Sequence, residues 1–115
     1  MLLNKILGIT LLAMASGIVA SAAEASKVCP VQPHQPLRSV DVFDGPPEDL
    51  ATLIPDQAGA RSGYWQLGYV YDADRNITIR CKYAGGPAID VRLTDRVERC
   101  SYVINTQKTL ALECR

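Results

Sequence analysis

From Tyr64 to the C-terminus, apolar and polar residues alternate between short turn-forming loops, and this period of two constrains the fold more than any other feature. The segments YWQLGYVY and ITIRCKY are separated by DADRN, a loop rich in turn formers. A hairpin centred on that loop pairs Tyr71 with Ile77, Tyr69 with Ile79, Leu67 with Cys81 and Trp65 with Tyr83. The next loop, AGGPA, pairs Tyr83 with Ile89, Cys81 with Val91 and Ile79 with Leu93. A final turn at NTQK sets Ile104 opposite Leu110, Tyr102 opposite Leu112 and Cys100 opposite Cys114. Every pair is apolar, and a one-residue slip would throw each set onto the wrong face. The pattern therefore predicts a mainly β domain, an antiparallel meander of about five to six strands with one short helix. One face forms the core and the other stays wet.

The first half of the chain supplies cover for that core. CPVQPHQP, from Cys29 to Pro36, reads as an extended arm, because proline locks its own backbone and cannot donate to a ladder. RSVDVF alternates as a strand, and DGPPEDLATLIPD reads as a turn opening a short helix. Asp44 is its cap, Glu48 and Asp49 suit the positive end of the helix dipole, and Pro55 stops it. Leu50, Leu53 and Ile54 fall on one face of such a helix.

The first residues define the compartment. Lys5, an uncharged apolar run from Ile6 to Ala20 and the small-residue stretch ASAAEA form a secretory signal peptide over residues 1–22. The apolar run falls short of the roughly 20 residues a membrane span needs, so no stable span remains after cleavage. Residues 23–37 then form the extended arm and 38–115 a single small β domain. Periplasmic or secreted placement follows. With 12 basic and 12 acidic residues in the whole chain, nothing in the charge points to nucleic acid.

All four cysteines, Cys29, Cys81, Cys100 and Cys114, lie beyond the signal peptide, and an even count in an oxidising compartment implies two disulfides. The hairpin register favours Cys100 with Cys114, leaving Cys29 for Cys81. The rival connectivity joins Cys81 to Cys100 and Cys29 to Cys114. Cys81 sits on the apolar face while Arg80 and Lys82 project from the other, so it reads as a staple and not as a reactive thiolate. No C-x-x-C pair is present, the lone His34 lies in a proline-rich loop, and DADRN lacks the glycine and terminal glutamate of an EF-hand. Neither metal nor cofactor is expected.

On the wet face, Lys82 is expected opposite Asp90 and Arg80 opposite Arg92. Two adjacent arginines can receive a carboxylate or phosphate from a partner. Tyr64 is the exposed aromatic candidate, with Trp65, Tyr69 and Tyr83 as buried scaffold. In the AGGPA loop, Gly85 and Gly86 permit close backbone approach. The acidic DGPPEDL segment is a further partner-facing patch. An enzymatic alternative is a small hydrolase working with Asp44 and Glu48, and a structural envelope component is a third reading.

The order CP, VFDGPPEDLATLIPD, WQL, IRCKYAGG, VERCSY and LALECR resembles the STY-type family of small exported Gram-negative proteins, over Cys29 to Arg115. That resemblance implies export, disulfides and the β fold, and brings no activity. In size, export, architecture and disulfide bonding the chain is also similar in kind to periplasmic lysozyme inhibitors. Together these lead to a non-catalytic binding protein of inhibitor or immunity type. It would dock a protein partner, a cell-wall-degrading enzyme or a toxin, through loops and the polar sheet face.

Overall fold

Two antiparallel sheets, not one meander, take up the alternating segments. The computed structural model describes residues 26–115, so the signal peptide expected over 1–22 lies outside the described residues. In chain order the strands are β1 (Ser26–Lys27), β2 (Leu37–Asp44), β3 (Gln57–Ala58) and β4 (Ser62–Gln66), then helix α1 (Gly68–Asp72). After it come β5 (Ile77–Tyr83), β6 (Ala88–Leu93), β7 (Arg99–Ile104) and β8 (Leu110–Cys114). The five-stranded sheet runs β1-β8-β7-β4-β3 and the three-stranded sheet β2-β5-β6. Fold class and both disulfides agree with expectation, and there is one short α-helix, though not in the segment where it was expected. The strand count is higher, partly because β1 and β3 are two-residue strands.

The β7–β8 hairpin has the expected register, with Cys100 opposite Cys114, Tyr102 opposite Leu112 and Ile104 opposite Leu110. Its turn is fastened by Asn105, whose side-chain oxygen accepts the backbone N–H of Gln107 at 2.9 Å and of Thr109 at 3.0 Å. The β5–β6 hairpin is displaced by two residues: Cys81 faces Ile89, Ile79 faces Val91 and Ile77 faces Leu93. A shift of two preserves the faces. The left-handed turn falls on Gly85, at φ 61°, which tightens the loop by that amount.

The hairpin expected around DADRN does not form. β4 pairs with β7 instead, Trp65 lying opposite Cys100, and the chain turns at Leu67 into α1. Leu67, Tyr69 and Tyr71 alternate, but Leu67, Val70 and Tyr71 satisfy i, i+3, i+4, and Leu67 and Val70 are fully buried in the helical arrangement. The same change leaves Tyr69 54% exposed, so it is not the buried scaffold residue expected.

The helix expected after Asp44 is also reduced, to a 3-10 turn at Pro47–Asp49. Beyond it the backbone is claimed by β2: Asp44 N–H donates to the Ala51 carbonyl, Leu53 N–H donates to the Val42 carbonyl, and Phe43 bridges Thr52. This lateral pairing leaves Leu50 in the left-handed region at φ 58° and 79% exposed, with Ile54 84% exposed. Only Leu53 of the predicted trio packs against the core.

The core lies between the sheets. Val42, Ile79 and Cys81 come from the smaller sheet, Trp65, Cys100, Tyr102 and Leu112 from the larger. Gly63 allows one close approach: a Cβ there would sit 2.6 Å from Cε1 of Tyr102. The disulfides are Cys29–Cys81 and Cys100–Cys114, which excludes the rival connectivity. The first ties the proline-rich arm to β5; the second crosses β7 and β8.

Two tyrosines close the edges of this core with hydrogen bonds to carbonyls. Tyr83 Oη donates to Pro30 O at 2.6 Å and Tyr71 Oη to Leu93 O at 2.8 Å. Burial raises the pKa of both phenols above the ordinary value, with Asp95 adding to the effect at Tyr71 and a backbone hydrogen bond at Ile77 opposing it. Because the folded value exceeds the unfolded one of about 10, their contribution is complete below pH 10 and is lost as pH rises through the folded values. In an alkaline absorbance titration of the native chain, Tyr83→Phe and Tyr71→Phe should each delete a late-ionising phenol. Deletion of an early one instead would overturn this assignment.

Candidate functional site

At one end of the smaller sheet, two loops meet and enclose a groove of about 520 Å³. β2 lies antiparallel to β5, so the end of β2 at Asp44 stands beside the start of β5 at Ile77. Gly45, at φ 93°, makes the reversal out of β2, and its N–H donates to the Asn76 carbonyl at 2.9 Å. Arg75 donates to both carboxylate oxygens of Asp44, at 2.6 and 2.9 Å. The GPPE and DADRN segments are thereby fastened together. Pro46, Pro47 and Glu48 form one wall, Asp74, Arg75 and Asn76 another, and Thr78, Asp90 and Arg92 line the sheet side.

The outer face of this sheet is not uniformly wet. Thr78 is only 6% exposed and Phe43, beside it on β2, is buried apart from the main core. Arg80 spans both environments: its guanidinium lies 5.2 Å from the Phe43 ring centroid and donates to both oxygens of Asp90, at 2.8 and 3.0 Å. That hydrogen bonding lowers the pKa of Asp90 and raises that of Arg80.

The two-residue shift of β6 changes the expected charge pairs. Arg80 lies opposite Asp90 and not opposite Arg92, while Lys82 lies opposite Ala88 and forms its ion pair with Asp41 at 3.0 Å. Arg92 instead faces Thr78. Among the described residues, Arg92, Glu48 and Asp74 form no ion pair, so the groove carries three charges available to a partner.

The other candidates are distributed around the molecule. Gly85 and Gly86 are exposed in the β5–β6 turn, at the opposite end of the sheet from the groove. Tyr64 lies on the five-stranded sheet, half-buried, with the Arg99 guanidinium 3.8 Å from its ring centroid. Asp44, considered as half of a catalytic pair, is engaged by Arg75 through both oxygens. Pro46, Pro47 and Glu48 belong to the acidic segment expected to face a partner, while Asp74, Arg75 and Asn76 are the additions; the signal for them was the density of turn formers in DADRN.

A family model described as type VI secretion system Tli immunity protein matches residues 32–115. The chain belongs to this family. As a Tli-family member it is an immunity-type protein, the partner-binding kind that its resemblance to inhibitors implies. The match covers every strand but β1 and every residue of the groove. No curated protein and no solved structure matches this Tli-family chain. Among the described residues, no helix is long and apolar enough to cross a membrane.

Proposed function

We propose that the chain is exported by its signal peptide and acts in the periplasm as a non-catalytic immunity protein, neutralising a type VI toxin effector by docking against it. The observation that carries this reading is the groove: among the described residues its rim presents Glu48, Asp74 and Arg92 without ion-pair partners, the first two on loops cross-braced by Asp44–Arg75 and Gly45–Asn76 and the third on β6 beside them. Charged groups held on a rigid frame bind with less ordering cost than the same groups on mobile loops. Arg80 and the Gly85–Gly86 turn extend the contact along the same sheet, and Tyr64 offers a separate point on the other.

Periplasmic co-expression with the cognate effector tests the reading. The wild-type chain should restore growth, and the oxidised protein should bind the effector directly. Glu48→Arg combined with Asp74→Arg should weaken that binding about 100-fold, as charge reversal at a hot spot does, a loss far beyond the small destabilisation that arginine causes at the left-handed φ of 63° of Asp74. Full protection by the doubly reversed protein would remove the groove from the interface. Failure of the wild-type chain to bind or protect would remove the proposal itself.

A further inference from the structure

We infer that β6 is a self-pairing edge, through which two copies of the chain join their three-stranded sheets into one continuous six-stranded sheet. The inference rests on edge geometry and charge, and it shares one residue, Arg92, with the groove proposed to dock the effector.

The sheet ends are treated unequally. In the larger sheet, both edges are two-residue strands, β1 and β3, too short to template another chain. In the smaller sheet, the outer side of β2 is covered by hydrogen bonds to Ala51 and Leu53 and by the Thr52 bridge. Among the described residues, β6 alone is a six-residue edge with no proline within it and no strand on its outer side. Its inward residues Ile89, Val91 and Leu93 pack on the core yet remain half-exposed. The open run ends at Leu93, whose carbonyl is taken by Tyr71.

The occupant follows from the order of charges in AIDVRL. Antiparallel pairing about a two-fold axis at Val91 sets Val91 opposite its own copy, Ile89 opposite Leu93, and Asp90 opposite Arg92 twice over. The apolar pairs fall on one face and the ion pairs on the other. Both members of each pair are separated by an even number of residues, so their outward amides and carbonyls match whichever set faces the edge. Moving the axis to Asp90 opposes two aspartates, and moving it to Arg92 opposes two arginines, both destabilising. Only the Val91-centred register among these is charge-complementary. It gives Arg92, which has no ion pair among the described residues, a carboxylate, and places Asp90 between Arg80 of its own chain and Arg92 of the other copy. This is an isologous contact of the kind that closes a dimer.

Sedimentation equilibrium of the oxidised mature protein, from micromolar to millimolar concentration, should show a reversible monomer–dimer equilibrium. R92D and D90R should each weaken self-association by about tenfold or more, because each opposes like charges at both symmetric positions. An equimolar mixture of R92D and D90R should dimerise again, since each ion pair is then restored across the two variants. Near-UV dichroism verifies that both are folded, and R92D breaks no intramolecular ion pair. A monomer at every concentration, a dimer indifferent to R92D, or a mixture of folded variants that stays monomeric would overturn the inference. If the chain is monomeric and R92D abolishes effector binding, Arg92 acts in the groove alone and the self-pairing edge is overturned.

Discussion

Replacing Cys29 and Cys81 together by serine should lower the stability of the oxidised chain by about 4 kcal/mol, against about 3 kcal/mol for Cys100 with Cys114. The difference follows from the chain length each bond closes in the unfolded state, 52 residues in the first case and 14 in the second. The Cys29–Cys81 bond also holds the arm over Tyr83, so its loss releases the Tyr83–Pro30 hydrogen bond with it. A small domain commonly has only about 5–15 kcal/mol of stability in total, so the first double variant should be partly unfolded at growth temperature. Urea unfolding followed by tryptophan fluorescence measures both values. Equal losses, or a larger loss for Cys100 with Cys114, would show that chain entropy does not set the ranking.

Trp65→Ala should cost about 3–5 kcal/mol, the usual range for removing a buried aromatic side chain. Trp65 is buried opposite Cys100, with its ring centroid 5.5 Å from that of Tyr102. Its Nε1–H also donates to the Leu53 carbonyl at 3.1 Å, which joins the larger sheet to the segment lying along β2. Trp65→Phe keeps most of the apolar contact and should cost about 1–3 kcal/mol, through the unpaired carbonyl it leaves. Hydrogen exchange at Leu53 should quicken in both variants, because the segment loses its anchor on the larger sheet. Unchanged exchange there would mean that pairing with β2 alone holds the segment.

What was legible in the sequence was local. Asn105 starts a short turn whose length leaves one register, so the β7–β8 pairs and the Cys100–Cys114 bond follow from spacing. AGGPA admits two turn centres of the same parity; the faces of β5 and β6 were readable, but whether Lys82 or Arg80 met Asp90 was not. Leu67 and Tyr71 fit two periods at once, and the burial of Val70 on a helix decided between them. The predicted helix failed because hydrogen bonds from β2 competed for Ala51 and Leu53, a partnership that no local pattern announces. The groove was hidden for the same reason. GPPE and DADRN were both recognisable as loops, yet their meeting depends on β2 pairing with β5 across more than thirty intervening positions.

The placement of β8 has one more consequence. It lies inside the five-stranded sheet, between β1 and β7, and the Arg115 carbonyl just beyond it accepts the backbone N–H groups of Glu98 and Arg99. β1 therefore reaches the rest of the larger sheet only through β8. Without β8 in place, β1 has no strand to pair with and β7 keeps an open edge.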